Sequence, residues 1–450
     1  MQYSIIQKSR LEGGLRLDAE YYQPEYLNTI SKLKSQKSKS LKEVGKIAYG
    51  TTPKGGVFEQ MGIPFVRSQN FSNLLIDTSD LVFCSEKFNN QNKKSAIKPS
   101  DILFAAVGAT IGELSMVQDE IKEGNINQNI ARVRITDENI NPYFVGFFFS
   151  SKSGQLQIDR LITGNAQPYL NSEQIGSFLI PPLDIKEQNE IAKYFQEIQK
   201  QIKLSRNLYS QAENLLLEEL GLKDFKVEDN LSYIVNLSEI KSSHRADAEY
   251  FQPKYDKLIS KIKSQNAKLL GDLVSMKKGV EPGAEAYQDE GNLFIRVSSL
   301  SKNGIEDKDQ KYLSEELYEK LKKNHEPKIG EILLTKDATL GIAYAIKESI
   351  EGIVSSGILR LKLKDKEIEN EYLVLCLNSV IGQMQTERDG GGSIITHWRP
   401  EQIKNVLVPV LSKTTQQKIA DLVQNSHQAR KKAKELLEEA KRKVENMVSK

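Results

Sequence analysis

The chain is 450 residues long, 39% hydrophobic and 27% charged, with a net charge of +3 and a mean hydropathy of −0.47. That length suits two to four domains rather than one core. The small net charge rules out a polycation, and no apolar run approaches the ~20 residues that a membrane helix needs.

The opening MQYSIIQKSRLEGG lacks the apolar core of a signal peptide. Cys84 and Cys376 lie far apart in apolar settings and read as buried free thiols of a cytoplasmic protein. The charge is uneven: residues 31–54 hold seven Lys against one Glu, and residues 430–450 hold eight Lys or Arg against four Glu. Local basic surface of this kind attracts phosphate, so nucleic acid is compatible with it.

In chain order, the first recognisable phrase is DAEYYQP, residues 18–24. Pro24 then opens a basic amphipathic helix whose apolar stripe is Tyr26, Leu27, Ile30 and Leu33. Short β-leaning runs follow, IPFVRSQNF (63–71), DILFAAVG (101–108) and NINQNIARVRI (125–135), separated by Gly, Pro and Asn. A short apolar helix, PYFVGFFFSS, leads through LIPPL into a long helix over 184–224.

The same order then returns. DAEYFQP recurs at 247–253, and residues 16–36 match 245–265 at fourteen of twenty-one positions. An offset of 229 pairs Gly50 with Gly279, Pro53 with Pro282 and Arg67 with Arg296. After a one-residue slip, EQIGSFLIPPL (173–183) meets EQIKNVLVPVL (401–411). One unit is used twice.

The long helices carry heptad seams. In the first, Ile191, Ile198, Ser205 and Ala212 alternate with Phe195, Ile202, Tyr209 and Leu216. In the second, Ile419, Ser426, Ala433, Ala440 and Met447 alternate with Val423, Arg430, Leu437 and Val444. Two copies related by a local twofold would make this pair an antiparallel coiled coil. A helix of about 35 residues is roughly 50 Å long, the span of roughly 15 base pairs. Two reading heads on such a ruler would suit the local dyads of duplex DNA.

No motif for catalysis emerges. His244, His325, His397 and His427 form no metal-type pair, and two Cys cannot complete a zinc site. GATIGE (108–113) lacks the Lys-Ser/Thr of a phosphate loop. NPYF (141–144) reads as a helix start rather than a base-flipping loop. Asp101, Glu120 and Lys122 read as surface rather than as a nuclease triad, because the second copy lacks them.

Four stretches together resemble the specificity (S) subunits of type I restriction–modification systems, the HsdS family. They are GTTPKGGVF…IPFVRSQNF, DILFAAVGATIGELSMV, NINQNIARVRI and GNAQPYLNSEQIGSFLIPPLDIKEQNEIAKYF. The resemblance covers almost the whole chain. It departs in the second copy, where KGVEPGAEAY has no Thr before Pro282 and GGGSIITHW replaces GNAQPYL.

The resemblance implies an α+β chain with a pseudo-twofold internal repeat: two tandem α/β-type target-recognition domains, 1–183 and 225–411, separated by the coiled-coil helices 184–224 and 412–450. It further implies double-stranded DNA as ligand, each domain reading half of a split target, with two methyltransferase subunits and, through them, restriction subunits as partners. Such a subunit catalyses nothing and carries no cofactor, S-adenosylmethionine being held by the methyltransferase partner. A methyltransferase or nuclease acting alone and a coiled-coil adaptor are the alternatives.

The repeat also sorts candidate DNA contacts. Residues shared by heads that read different half-sites suit phosphate contacts, and base contacts must differ. Arg67 and Arg296 therefore read as phosphate anchors or salt-bridged strand ends. Ser68, Gln69 and Asn70 against Ser298 and Ser299 read as base-contacting, since Gln and Asn suit adenine. Lys54, Lys336, Asn165 and Gln167 are further loop candidates. The repeated DAEY phrase reads as the joint between each head and the helical frame.

Overall fold

The computed structural model describes residues 5, 18–162, 168–225, 232–307, 309–364, 366–390 and 396–449. The chain divides into two compact units, Met1–Ile202 with Arg430–Lys450, and Lys203–Ala429. These boundaries differ from the linear division at 183, 224 and 411. Each long helix gives part of its length to each unit instead of forming a segment of its own.

In the first unit, α1 (Pro24–Ser35) begins at its proline and buries Tyr26 and Leu33. The strands of its two larger sheets are β1 (Gly45–Tyr49), β2 (Ile63–Val66), β3 (Val82–Cys84), β4 (Ile102–Ala105), β5 (Leu114–Met116), β6 (Asn125–Ile126) and β7 (Ile130–Ile135). A four-stranded sheet in the order β1-β7-β4-β5 is antiparallel throughout. A smaller sheet has β2 at its centre, antiparallel to β3 and parallel to β6. The α+β description therefore holds, but "α/β-type" does not. The larger sheet has no parallel pair and the smaller one only β2 with β6, whereas an α/β sheet is built of parallel strands joined by crossover helices.

Strand alternation gives the larger sheet two apolar faces. Ile102, Phe104, Ala131 and Val133 face a core with the helices, while Leu103, Ala105 and Ile130 join Val66 and Ile126 in a second core. The helices α2 (Pro142–Ser150) and α3 (Lys152–Ile162) follow, then α4 (Ile185–Glu219). Phe144, Phe147, Phe148 and Phe149 of α2 are all fully buried, as a helix apolar on every side must be.

The second unit repeats this plan. Its elements include α5 (Pro253–Lys263), β8 (Val274–Lys278), β9 (Asn292–Ile295), β10 (Lys311–Leu313), β11 (Ile332–Thr335), β12 (Ala343–Ala345), β13 (Gly352–Val354) and β14 (Ile358–Leu363). They are followed by α6 (Asn370–Asn378), α7 (Val380–Asp389) and α8 (Lys413–Ser449). The sheets run β8-β14-β11-β12 and β10-β9-β13, the same order as in the first unit.

The predicted seam residues are where the cores close. In the first unit, Ile191, Phe195 and Ile198 of α4 share a core with Ala433, Leu437, Ala440 and Val444 of α8, and Ile202 packs at its margin. The Tyr194 hydroxyl donates to Glu439 at 2.6 Å, Glu190 faces Lys443, and Glu197 faces Lys432. As the number rises on α4 it falls on α8, so the two stretches are antiparallel. In the second unit, Ala212, Leu216, Ile419 and Val423 share the core, with Tyr209 against it, and the buried Ser205 and Ser426 hydroxyls lie 3.0 Å apart.

The repeated phrase holds the start of α1 and α5. Tyr21 meets Tyr22 edge-on at 4.9 Å, and the Arg160 guanidinium of α3 lies 4.0 Å above the Tyr21 ring. Arg160 Nε also donates to the Tyr21 carbonyl at 3.3 Å. In the second unit Tyr250 meets Phe251 at 5.0 Å, with Arg388 of α7 4.4 Å and Arg245 4.8 Å from the Tyr250 ring. Arg245 in turn grips Asp247 through two hydrogen bonds of 2.7 Å. Cation–π and hydrogen-bond contributions of this kind are together worth about 1–3 kcal/mol. Arg160→Ala is accordingly expected to speed amide exchange at residues 21–27 several-fold, leaving exchange at residues 102–105 unchanged.

Candidate nucleic-acid interface

At one edge of each larger sheet the loops are knitted into a continuous rim. In the first unit the rim comprises the ends of β1, β2 and β4, the turn before β7, and residues 168–170. Thr51 N donates to the Ile126 carbonyl, Asn127 N to Val66, Ala106 N to Asn129, and Leu170 N to Ala106. The Tyr49 hydroxyl adds a bond to the Leu170 carbonyl. In the second unit Val280 N donates to Val354, Ser355 N to Ile295, Lys336 N to Gly357, and Trp398 N to Lys336.

Closeness at this rim explains a shared glycine. A Cβ on Gly50 would lie 2.1 Å from the Ile126 carbonyl oxygen and 2.2 Å from that of Asn127. On Gly279 it would lie 2.1 Å from Ser355 O and 2.4 Å from Val354 O. Backbone cannot give way as a side chain can, so both positions require glycine.

Most of the sequence candidates gather here. Lys54 is exposed in the turn after β1. Arg67 closes β2, and its guanidinium donates to the Asp80 carbonyl at 3.2 Å and the Asp80 carboxylate at 3.4 Å, with the Phe58 ring 5.9 Å away. Arg296 stands in the same place, 3.4 Å from Asp309 and 5.6 Å from the Tyr287 ring. Asp80 and Asp309 are 76% and 53% exposed in their side chains. Such surface pairs add ~1 kcal/mol or less, so the pairs orient the guanidinium more than they stabilise the fold.

Gln69 is exposed and donates to the Asp80 carboxylate at 3.2 Å, Ser298 is exposed, and Ser68 is half-buried. Asn70 and Ser299 are different. Both are buried, at 2% and 0% exposure. Asn70 Oδ1 accepts from Arg67 N and its Nδ2 donates to the Asp80 carbonyl. The Ser299 hydroxyl closes the corresponding turn on Arg296. Their side chains form the turn, and the expectation that they reach base edges is corrected on that ground. Asn165 and Gln167 lie outside the described residues.

Lys336 is 8% exposed, its ammonium held by Asp337 at 2.6 Å. Asp337 also accepts from His397 Nδ1 at 2.7 Å, a pairing across two loops that spacing along the chain did not suggest. Burial pushes the Asp337 carboxyl up, but hydrogen bonds from His397 and Lys336 outweigh it and hold it below the ordinary carboxylate value.

The motifs set aside for catalysis have structural partners. Asn141 caps α2 by accepting from Tyr143 N. Asp101 is 1% exposed and bound at 2.7 Å through both oxygens by Arg134. Cys84 and Cys376 are buried and unbridged. Among the described residues no cluster of three or more His, Cys, Asp or Glu could hold a metal ion, and no helix is long and apolar enough to cross a membrane. Asp80, Asp309, Phe58 and Tyr287 escaped the sequence reading. The 229-residue offset pairs the aspartates with one another and Phe58 with Tyr287, and was the signal available for finding them.

Two copies of one sheet-and-helix unit, each with a rim whose frame is shared and whose tips differ, define a duplicated two-unit protein. The chain belongs to the family of the type I restriction modification DNA specificity domain, whose model matches residues 34–214 and 264–442, one match in each copy. It is 26% identical over 239 residues to the type I restriction enzyme EcoBI specificity subunit of Escherichia coli, covering 52% of this chain and 47% of that one. It is 24% identical over 176 residues to the MjaVIII specificity subunit of Methanocaldococcus jannaschii, covering 38% and 41%. The matches thus span less than half the length of these relatives. Among solved structures, a type I restriction-modification S subunit from M. genitalium aligns with a TM-score of 0.42 at 15% identity, over 90% of this chain and 95% of that one.

The Asp337 carboxyl gives a pH prediction. Its folded pKa is depressed, so its contribution to stability is full above the unfolded value of about 3.9 and is lost as pH falls through the folded value. Asp337→Asn should flatten that stretch of the acid-unfolding curve, monitored by circular dichroism, and leave the curve above about pH 5 parallel to the wild type.

Proposed function

We propose that this chain is the DNA-recognition subunit of a type I restriction–modification complex, non-catalytic itself, each rim reading one half of a bipartite duplex target. The observation that carries this is the rim itself. An Arg–Asp–aromatic group is repeated in both copies while the side chains beside it differ. A guanidinium held at one place in both heads suits phosphate, which is the same at every step of the duplex. Side chains that differ suit base edges, which are not.

The two long helices act in this reading as an antiparallel coiled coil that sets the length of the unread spacer. Two methyltransferase subunits, with S-adenosylmethionine, supply the methyl transfer, and restriction subunits join through them. The complex works in the cytoplasm, where the buried thiols of Cys84 and Cys376 stay reduced.

Three measurements test it. Purified chain with labelled S-adenosylmethionine and duplex DNA should transfer no methyl group until a methyltransferase partner is added. Transfer by the chain alone identifies an enzyme, and failure to shift any duplex, with or without that partner, identifies a coiled-coil adaptor. Gln69→Ala should change selection at one half-site only, an equal loss on all duplexes refuting a base contact there. Inserting seven residues, about 10 Å of helix, into α4 or α8 should lengthen the spacer in the methylated target or abolish methylation. Full activity on an unchanged spacer refutes the ruler.

A further inference from the structure

The two rims contain one more pair of equivalent side chains. In the first unit the Thr52 hydroxyl donates to Gln128 Oε1, joining the loop after β1 to the turn before β7. In the second unit the Ser356 hydroxyl donates to Glu281 Oε2 at 3.4 Å, joining the corresponding loop and turn. Thr52 and Glu281 are 229 positions apart, and Gln128 and Ser356 are 228 apart, the offsets of the repeat on either side of its slip. The backbone beneath is the same in both, since Gly50 and Gly279 lie against the carbonyls of Ile126–Asn127 and Val354–Ser355. The same loop-to-turn pair therefore carries an amide in one head, on the turn, and a carboxylate in the other, on the loop, each held by the hydroxyl opposite it.

Both functional groups are exposed and held. Glu281 is fixed from a second side by the Tyr287 hydroxyl at 2.7 Å. Burial first, and then this bond to Glu281, push the Tyr287 phenol up to about 12, so it remains a donor. A carboxylate on a DNA-facing rim is repelled by phosphate and can only accept hydrogen bonds. It suits a base edge that offers a lone donor, and in the major groove that edge is the N4 amino group of cytosine. The Gln128 amide offers one donor and one acceptor side by side, which matches N7 and N6 of adenine.

We propose that Glu281 and Gln128, opposite members of the equivalent loop-to-turn pairs of the two heads, are specificity-determining residues, Glu281 selecting cytosine in one half-site and Gln128 selecting adenine in the other. Thr52, Ser356 and Tyr287 are their positioning residues. The proposal rests on the reading of the rims as DNA-recognition surfaces.

The test uses the full chain with its methyltransferase partner and a pool of duplexes randomised at both half-sites, scored by sequencing the selected and methylated molecules. Glu281→Gln should lose cytosine preference at one position of one half-site by about 5- to 150-fold, with the other half-site selected as in the wild type. Gln128→Ala should do the same for one adenine of the other half-site. Intact selection at the untouched half-site shows that each variant is folded. Unchanged preference at every position, or a uniform loss of affinity on all sequences, overturns the assignment while leaving DNA recognition in place. Absence of any selection by the wild-type complex overturns recognition itself, and this assignment with it.

Discussion

The constraint on which both units depend is that neither sheet can close its helical core without the long helices. Phe195 shows the arrangement: its ring stacks on Tyr143 at 4.6 Å and meets Phe147 edge-on at 6.4 Å. Around it, Ile191 and Ile198 of α4 pack in one core with Leu437 and Val444 of α8. Burial of one such side chain is worth about 1.5–3 kcal/mol, against a net stability of about 5–15 kcal/mol for a typical domain. Three or four seam residues per unit are therefore enough to decide whether it folds. Each core is assembled from stretches more than two hundred residues apart, and a one-place slip of the seam would expose Phe195 and bury charge.

The rim inherits its rigidity from that core. Its loops leave strand ends whose residues Val66, Ala105, Ile126, Ile295, Thr335 and Val354 are fully buried, and backbone hydrogen bonds tie each loop to the next. Under those conditions Gly50 and Gly279 cannot vary, because a methyl group would collide with carbonyl oxygens. Arg67 and Arg296 keep an aspartate and an aromatic ring as neighbours. The side chains free to change are those that no core or carbonyl contact specifies, such as Gln69, Gln128, Glu281 and Ser298. A fixed frame with variable tips follows from packing alone, before any ligand is considered.

The repeated DAEY phrase belongs to the frame. Its tyrosine is covered by an arginine, Arg160 of α3 in one copy and Arg388 of α7 in the other, and the next aromatic ring meets it edge-on. Both partners must be kept for the contact to exist, and the same contact is made twice, so the phrase recurs. The sequence reading expects a joint between head and long helices; the contact seen lies inside each unit, between the phrase and α3 or α7. The arginine that makes this contact lies more than a hundred residues downstream, where the helical pattern around it carries no sign of a partner.

What the sequence alone determined was whatever local periodicity and internal repetition express. The duplication, the order of elements, the apolar helix at 142–150, the two long helices with their seams, and the loops bearing Lys54, Arg67, Gln69, Arg296 and Ser298 could all be read from spacing and offset. Tertiary structure decided the rest, because it depends on which strands become neighbours. Antiparallel pairing replaced an α/β-type arrangement, and the long helices became parts of the units. Asn70 and Ser299 turned inward to close their turns. Asp80 and Asp309 were brought to Arg67 and Arg296 by the fold of the intervening strand ends, and Asp337 to His397 by loops 60 residues apart. A pattern of two or three and a half residues records which face of an element is buried. It holds no record of what lies across the gap, and only the folded backbone supplies that.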